Sequence, residues 1–138
     1  MPITLTFTKG ALPDGAEAQA VARITDAFLE NHQMLGNSVM TPNVTAHVSV
    51  LPAGTTFSGG APVVGAWVET KTPSFALADN DIQKRFFAQA ADILMDLSDG
   101  ALSRERIWAN GVHAVDGTWN IDGVTMTNAE IGAAVAHG

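Results

Sequence analysis

The stretch Pro2-Ile3-Thr4-Leu5-Thr6-Phe7-Thr8 sets Ile3, Leu5 and Phe7 against Thr4, Thr6 and Thr8. A period of two is the signature of a strand with one apolar face, and that face has to be covered. A covering element follows at once. After the breaker run Gly10-Ala11-Leu12-Pro13-Asp14-Gly15, residues Val21, Ile24 and Phe28 recur at helical spacing, with Asp14 as the expected N-cap. The stretch Gly36-Asn37-Ser38 to Thr41-Pro42-Asn43 predicts the end of that helix and a loop. Val44, Ala46, Val48 and Val50 then alternate with Thr45, His47 and Ser49 as a second half-polar strand. Strand, helix and strand in so short a span predict a right-handed parallel β-α-β unit.

The unit recurs. Beyond the glycine-rich Ser58-Gly59-Gly60 link, the pattern predicts a third strand over Val63 to Glu69. A helix opening at Asp79 and carrying Ile82, Phe86, Ala90, Ile93 and Leu97 follows, then a fourth strand from Arg106 to Ala114. Pro2 aligns with Pro62 and Pro13 with Pro73 at one common offset, so the chain reads as a degenerate tandem duplication. Two Asp-Gly turn signals surround a short β-piece carrying Trp119, and Thr127-Asn128 caps a short helix over Ala129 to Val135. The expected fold class is α/β (α+β): two tandem β-α-β units forming a four-stranded sheet with two helices on one face, plus a short C-terminal hairpin and helix. One domain is expected over 1–138, with pseudo-repeats at 1–61 and 62–138.

Two helices on one face leave the other sheet face uncovered, and there Thr4, Thr6, Thr8, Thr45, His47 and Ser49 are polar without being charged. Together with 46% hydrophobic and only 15% charged residues, this predicts a homo-oligomer whose subunits cover one another. A formal charge of −7 excludes nucleic-acid backbones and anionic membrane surfaces as expected partners. The absence of cysteine excludes disulfides and thiol chemistry. With no leader pattern and no apolar run long enough for a bilayer, the expected localisation is cytoplasmic.

The chemistry points to the chain start. Initiator methionine is normally removed before a residue as small as proline, which would leave Pro2 with a free secondary amine. Every other proline is a tertiary amide without an N–H. An α-amino group titrates at about 7.7–8.0, and apolar burial lowers that further, into the range of a general base at pH 7. Other groups invite plainer readings. His32 is read as a cation capping the first helix, His47 as part of the polar sheet face, and Asp79, Asp81, Asp92, Asp96 and Asp99 as a solvated helix face. No histidine pair has metal-site spacing. Gly59-Gly60 lacks the lysine and helix start of a phosphate loop.

In four places the chain resembles the tautomerase superfamily, which includes 4-oxalocrotonate tautomerase and macrophage migration inhibitory factor. These are Met1-Pro2 before an alternating strand; Val44-Thr45-Ala46-His47-Val48 with Phe57-Ser58-Gly59-Gly60; Arg106-Ile107-Trp108-Ala109-Asn110; and Asp116-Gly117-Thr118-Trp119-Asn120-Ile121-Asp122-Gly123. The resemblance implies a double β-α-β chain assembled as a homotrimer, with active sites at subunit interfaces. It also implies a cofactor-independent keto–enol tautomerase acting on a small 2-oxo/enol monocarboxylate, with Pro2 as catalytic base. It departs from the family pattern where active-site arginines are expected: Ala11 and Glu69-Thr70-Lys71-Thr72-Pro73 stand there instead. Lys71 is then the candidate carboxylate anchor and Asn110 a donor to substrate oxygen. Trp108, Trp119 and Phe57 are candidate pocket walls. Hydration, dehalogenation or decarboxylation at the same amine, or a non-catalytic trimeric binding protein, are the alternatives.

Overall fold

The computed structural model describes residues 1–138. The first unit consists of a strand Pro2–Thr8 (β1), a helix Ala16–Asn31 (α1) and a strand Thr45–Leu51 (β2). β1 and β2 pair in parallel, from Pro2 with Thr45 to Thr8 with Leu51. Ile3, Leu5 and Phe7 are buried while Pro2, Thr4 and Thr6 are half-buried, as a strand with one covered face requires. The loop after α1 holds one helical turn, Met40–Asn43 (α2). Asn37 starts that turn, its Oδ1 accepting from the backbone N–H of Val39 and Met40 at 3.1 and 2.8 Å.

A two-residue hairpin, Phe57–Ser58 (β3) and Ala61–Pro62 (β4), leads to the second unit. That unit is a strand Ala66–Pro73 (β5), a helix Asn80–Leu97 (α3) and a strand Ile107–Ala114 (β6). The third strand thus starts three residues later than predicted and runs four residues past Glu69. Glu69 and Lys71 are exposed while Val68, Thr70 and Thr72 are buried, and a charged side chain on the wet face of a strand does not end it. β1 and α1 begin at residues 2 and 16, and β5 and α3 at 66 and 80, an offset of 64 for both. Pro62 lies in β4, ahead of β5, whereas Pro2 opens β1, so the shared proline spacing does not give the two prolines equivalent positions.

The sheet order is β2-β1-β5-β6. β1 is central and meets β5 antiparallel, which joins the two units edge to edge. α1 and α3 cover one face, where Phe28 and Phe86 meet edge to face at 5.4 Å. Twenty buried apolar residues, from Met1 to Leu102, form one cluster between helices and sheet. Asp79 caps α3 by accepting from Asp81 and Ile82 N–H at 2.8 and 3.0 Å. The N-cap of α1 is Gly15, at φ 84° with no side-chain bond, and not Asp14; glycine adopts that left-handed conformation without the steric penalty an aspartate side chain would meet. Asp96 pairs with Arg23 and Asp92 with Arg104 on the exposed helix faces.

The chain ends in a hairpin, Trp119–Ile121 (β7) and Val124–Met126 (β8), and a helix Asn128–Val135 (α4) opened by a Thr127–Glu130 capping box. Asn128 Nδ2 donates to Ser74 Oγ at 2.7 Å and Asn37 Nδ2 to the Val135 carbonyl at 2.9 Å. These bonds tie the tail to the edge of the molecule where β5 ends. No helix is long and apolar enough to cross a membrane.

His32 does close α1, but not as a cation. Its Nε2 accepts the Leu77 N–H at 3.0 Å, so Nδ1 carries the proton and donates to the Phe28 carbonyl, 2.7 Å away. Burial holds its pKa below the usual 6.5. The unfolded chain therefore binds the proton more readily, and the contribution of His32 to stability is complete above pH 6.5 and lost as pH falls below it. Urea midpoints at pH 7.5 and 5.0 should show this loss, and His32→Gln should lessen the difference between them. An unchanged difference would remove His32 from the account.

Candidate active site

Strand register turns the uncovered sheet face into an ordered grid. Thr4 lies between His47 on β2 and Glu69 on β5, and Glu69 is paired with Asn110 on β6. One row further in, Ser49, Thr6, Trp67 and Trp108 are aligned in the same way. Continuing the β1–β5 register one step outward sets Pro2 opposite Lys71, flanked by Thr45 and Val112. Four strands thus bring Pro2, Lys71 and Asn110 to one face, although they are far apart in the chain. Thr8, at the inner end of its row, is closed off: its hydroxyl meets Thr56 Oγ1 at 2.6 Å.

A cavity of about 340 Å³ opens on this face, lined by Thr4, Glu69, Thr70, Lys71, Asn110 and Val112. Asn110 Nδ2 donates to Glu69 Oε1 at 3.3 Å. The chain's two Lys/Arg–Asp pairs involve Arg23 and Arg104, so the Lys71 ammonium has no ion-pair partner. Trp108 stacks on Trp67 with ring centroids 5.0 Å apart and lies so close over Gly65 that a Cβ there would be 2.4 Å from the ring. The aromatic row is therefore a packed wall next to the cavity. A larger furrow of about 510 Å³ between α1 and α3 lies on the other side of the molecule, edged by Arg23, Asp26, Asp92 and Asp96.

The chain start is enclosed. Met1 is 5% exposed, and its amine donates to the Asn43 carbonyl. Burial lowers that amine from 8.0 to about 6, because water no longer stabilises the charged form. The Met1 amine is thus biased to neutrality at pH 7. While Met1 is attached the Pro2 nitrogen is an amide; removal of Met1 makes it the terminal amine, one residue closer to Lys71.

Two predicted wall residues lie off the grid. Phe57 is 58% exposed in the β3–β4 hairpin, next to the Thr56 that covers the inner end of β1. Trp119 is half-buried against the core from the C-terminal hairpin. His113 points to the helix side, where it lines a small cavity of about 120 Å³ with Leu77, Gln83, Phe87 and Gly111. No three metal-ligating side chains come together. Sequence reasoning passed over Glu69 and Trp67 as site residues. The signal was the alternation Trp67-Glu69-Lys71, which puts all three on the face of Lys71 once the strand is allowed to continue through Pro73.

No protein-family model and no curated protein matches the sequence. Solved structures do match in shape. A symmetric trimer of wild-type Q0 fused 4-OT superposes with a TM-score of 0.75 at 9% identity, over 96% of this chain and 99% of that one. N1, a member of the cis-3-chloroacrylic acid dehalogenase family, gives 0.73 at 14%, over 96% and 90%. FG41 malonate semialdehyde decarboxylase, inhibited by 3-bromopropiolate, gives 0.69 at 10%, over 96% and 97%. At such identities the likeness is one of fold, and the chain has the tautomerase fold in its double β-α-β form.

Proposed function

We propose that this chain belongs to the tautomerase superfamily and is a cofactor-independent keto–enol tautomerase of small 2-oxo monocarboxylates, with the Pro2 amine as general base. The observation that carries the reading is the enclosed chain start, with a free lysine opposite Pro2 on the same sheet face. Lys71 would hold the substrate carboxylate by a charge-assisted hydrogen bond. The Pro2 nitrogen would then take a proton from C3; the C–H pair becomes the C2–C3 double bond and the carbonyl π pair moves to oxygen as enolate. Returning the proton to oxygen gives the enol, with no net redox change. The Lys71 ammonium, beside the carbonyl next to the bound carboxylate, also steadies the developing oxyanion, with the Thr4 hydroxyl in the same cavity.

The exposed edge strand β2, with Val48 and Val50 40% and 50% exposed, supports assembly with further copies, and the trimeric fused 4-OT supports three as the number. In such a homotrimer Phe57 and Trp119 become candidates for walls of a neighbouring subunit's site.

Two measurements test the proposal. Intact mass of the untagged protein should fall one methionine short, and the protein should exchange the C3 protons of 2-oxo acids for deuterium. A protein that loses Met1 and catalyses no such exchange would refute it. Lys71→Met should raise KM about tenfold or more, the scale of a hydrogen bond to a charged group, with a smaller effect on kcat. An unchanged KM would remove Lys71 as the anchor.

A further inference from the structure

Lys71 and Glu69 project from the same face of β5, two residues apart, which is on the order of 7 Å along a strand. Both are exposed, both line the cavity, and they form no ion pair with each other. A cation and an anion this close, left unpaired, form a site with two different ends. The Lys71 end suits a carboxylate. The other end is rich in acceptors: Asn110 uses its Nδ2 on Glu69 Oε1, while Glu69 Oε2 and Asn110 Oδ1 make no hydrogen bond within the chain. The Thr4 hydroxyl completes this row as a donor or acceptor.

We infer that Glu69, held by Asn110, is a specificity-determining residue, and that the site selects 2-oxo acids whose distal end carries a hydrogen-bond donor such as a hydroxyl. The inference rests on the tautomerase reading for its reaction and on the cavity for its selectivity. A substrate anchored at Lys71 and extending inward along the face brings its far end to Glu69. A distal hydroxyl there donates to a carboxylate oxygen. A distal methyl leaves that oxygen without a protein partner. A distal carboxylate faces a like charge, which disfavours binding.

Three ligands of one chain length separate these cases: 5-hydroxy-2-oxopentanoate, 2-oxopentanoate and 2-oxopentanedioate. Dissociation constants by NMR titration, with C3-deuterium exchange rates on the same samples, should rank them hydroxy, then alkyl, then diacid. Glu69→Gln should cut the hydroxy-over-alkyl preference about tenfold and improve diacid binding, since glutamine keeps the shape and removes the charge. Glu69→Ala should reduce the same preference, and a far-ultraviolet spectrum like that of wild type would show that it folds. An unchanged hydroxy-to-alkyl ratio in both variants, or a diacid that binds wild type best, would overturn the inference. Failure of the tautomerase reading looks different: the ranking by binding persists while no ligand undergoes exchange.

Discussion

A Gly-Ser extension placed ahead of Pro2 should lower C3-proton exchange by about two to four orders of magnitude, the contribution expected of a positioned general base. The extension turns the Pro2 nitrogen into a tertiary amide, whose lone pair is delocalised into the carbonyl. Glu69 and His47 lie one row further in on the same face, so the Pro2 nitrogen is the basic atom directly opposite Lys71. Pro2→Ala should also remove most of the activity while leaving the oligomer intact. Alanine keeps a terminal amine but loses the ring that fixes φ, so the nitrogen is no longer held in one direction. An extended protein as active as the mature one would end the Pro2 mechanism.

Phe86→Ala should cost about 3–5 kcal/mol of stability, the range for deleting a buried phenylalanine side chain. Phe86 is fully buried and touches rings on both sides, Phe28 at 5.4 Å and Phe87 at 5.1 Å. It connects α3 to α1, and the shared core cluster continues to Ile3 and Leu5 on the central strand. Phe28, the nearest ring across the helix interface, is itself held against His32 in a tilted pair at 4.4 Å, so it is poorly placed to fill the gap. The urea midpoint should drop sharply with little change in slope, measured at fixed protein concentration so that any subunit equilibrium is held constant. A loss below about 1 kcal/mol would mean that the helices are not held together here.

Much of this fold was legible because it is written in local periods. Ile3, Leu5 and Phe7 specify a strand and its covered face, and Asp79 and Thr127 specify helix starts through bonds that span only two or three residues. The register between strands was less legible. Pairing Thr4 with Glu69, or Pro2 with Lys71, depends on how β5 is placed against β1, and locally Val63 and Val64 read as strand residues. They precede it instead, with the Val63 N–H turned back to the Thr56 carbonyl at 2.9 Å. The proline spacing misled in a similar way, since matching residue types need not share a structural position. Pro2, Lys71 and Asn110 could be nominated one at a time. The alternation along β5 puts Lys71 on one face with Glu69 and Trp67, but that Pro2 and Asn110 join them follows only from the β2-β1-β5-β6 order and register, which no local pattern encodes.

The enclosure of Met1 also limits when the proposed Pro2 amine could be released. An aminopeptidase must draw an extended chain end into its own active site, and a methionine that is 5% exposed, with its amine on the Asn43 carbonyl, offers none. The contacts that trap it come from α2 and β2, whose last residue is Leu51, and the antiparallel partner β5 is finished only at Pro73. For Pro2 to become the terminal amine, methionine excision has to act on the nascent chain, before the first β-α-β unit closes. A variant or host in which folding outpaces excision would accumulate well-folded protein whose Pro2 nitrogen is permanently an amide.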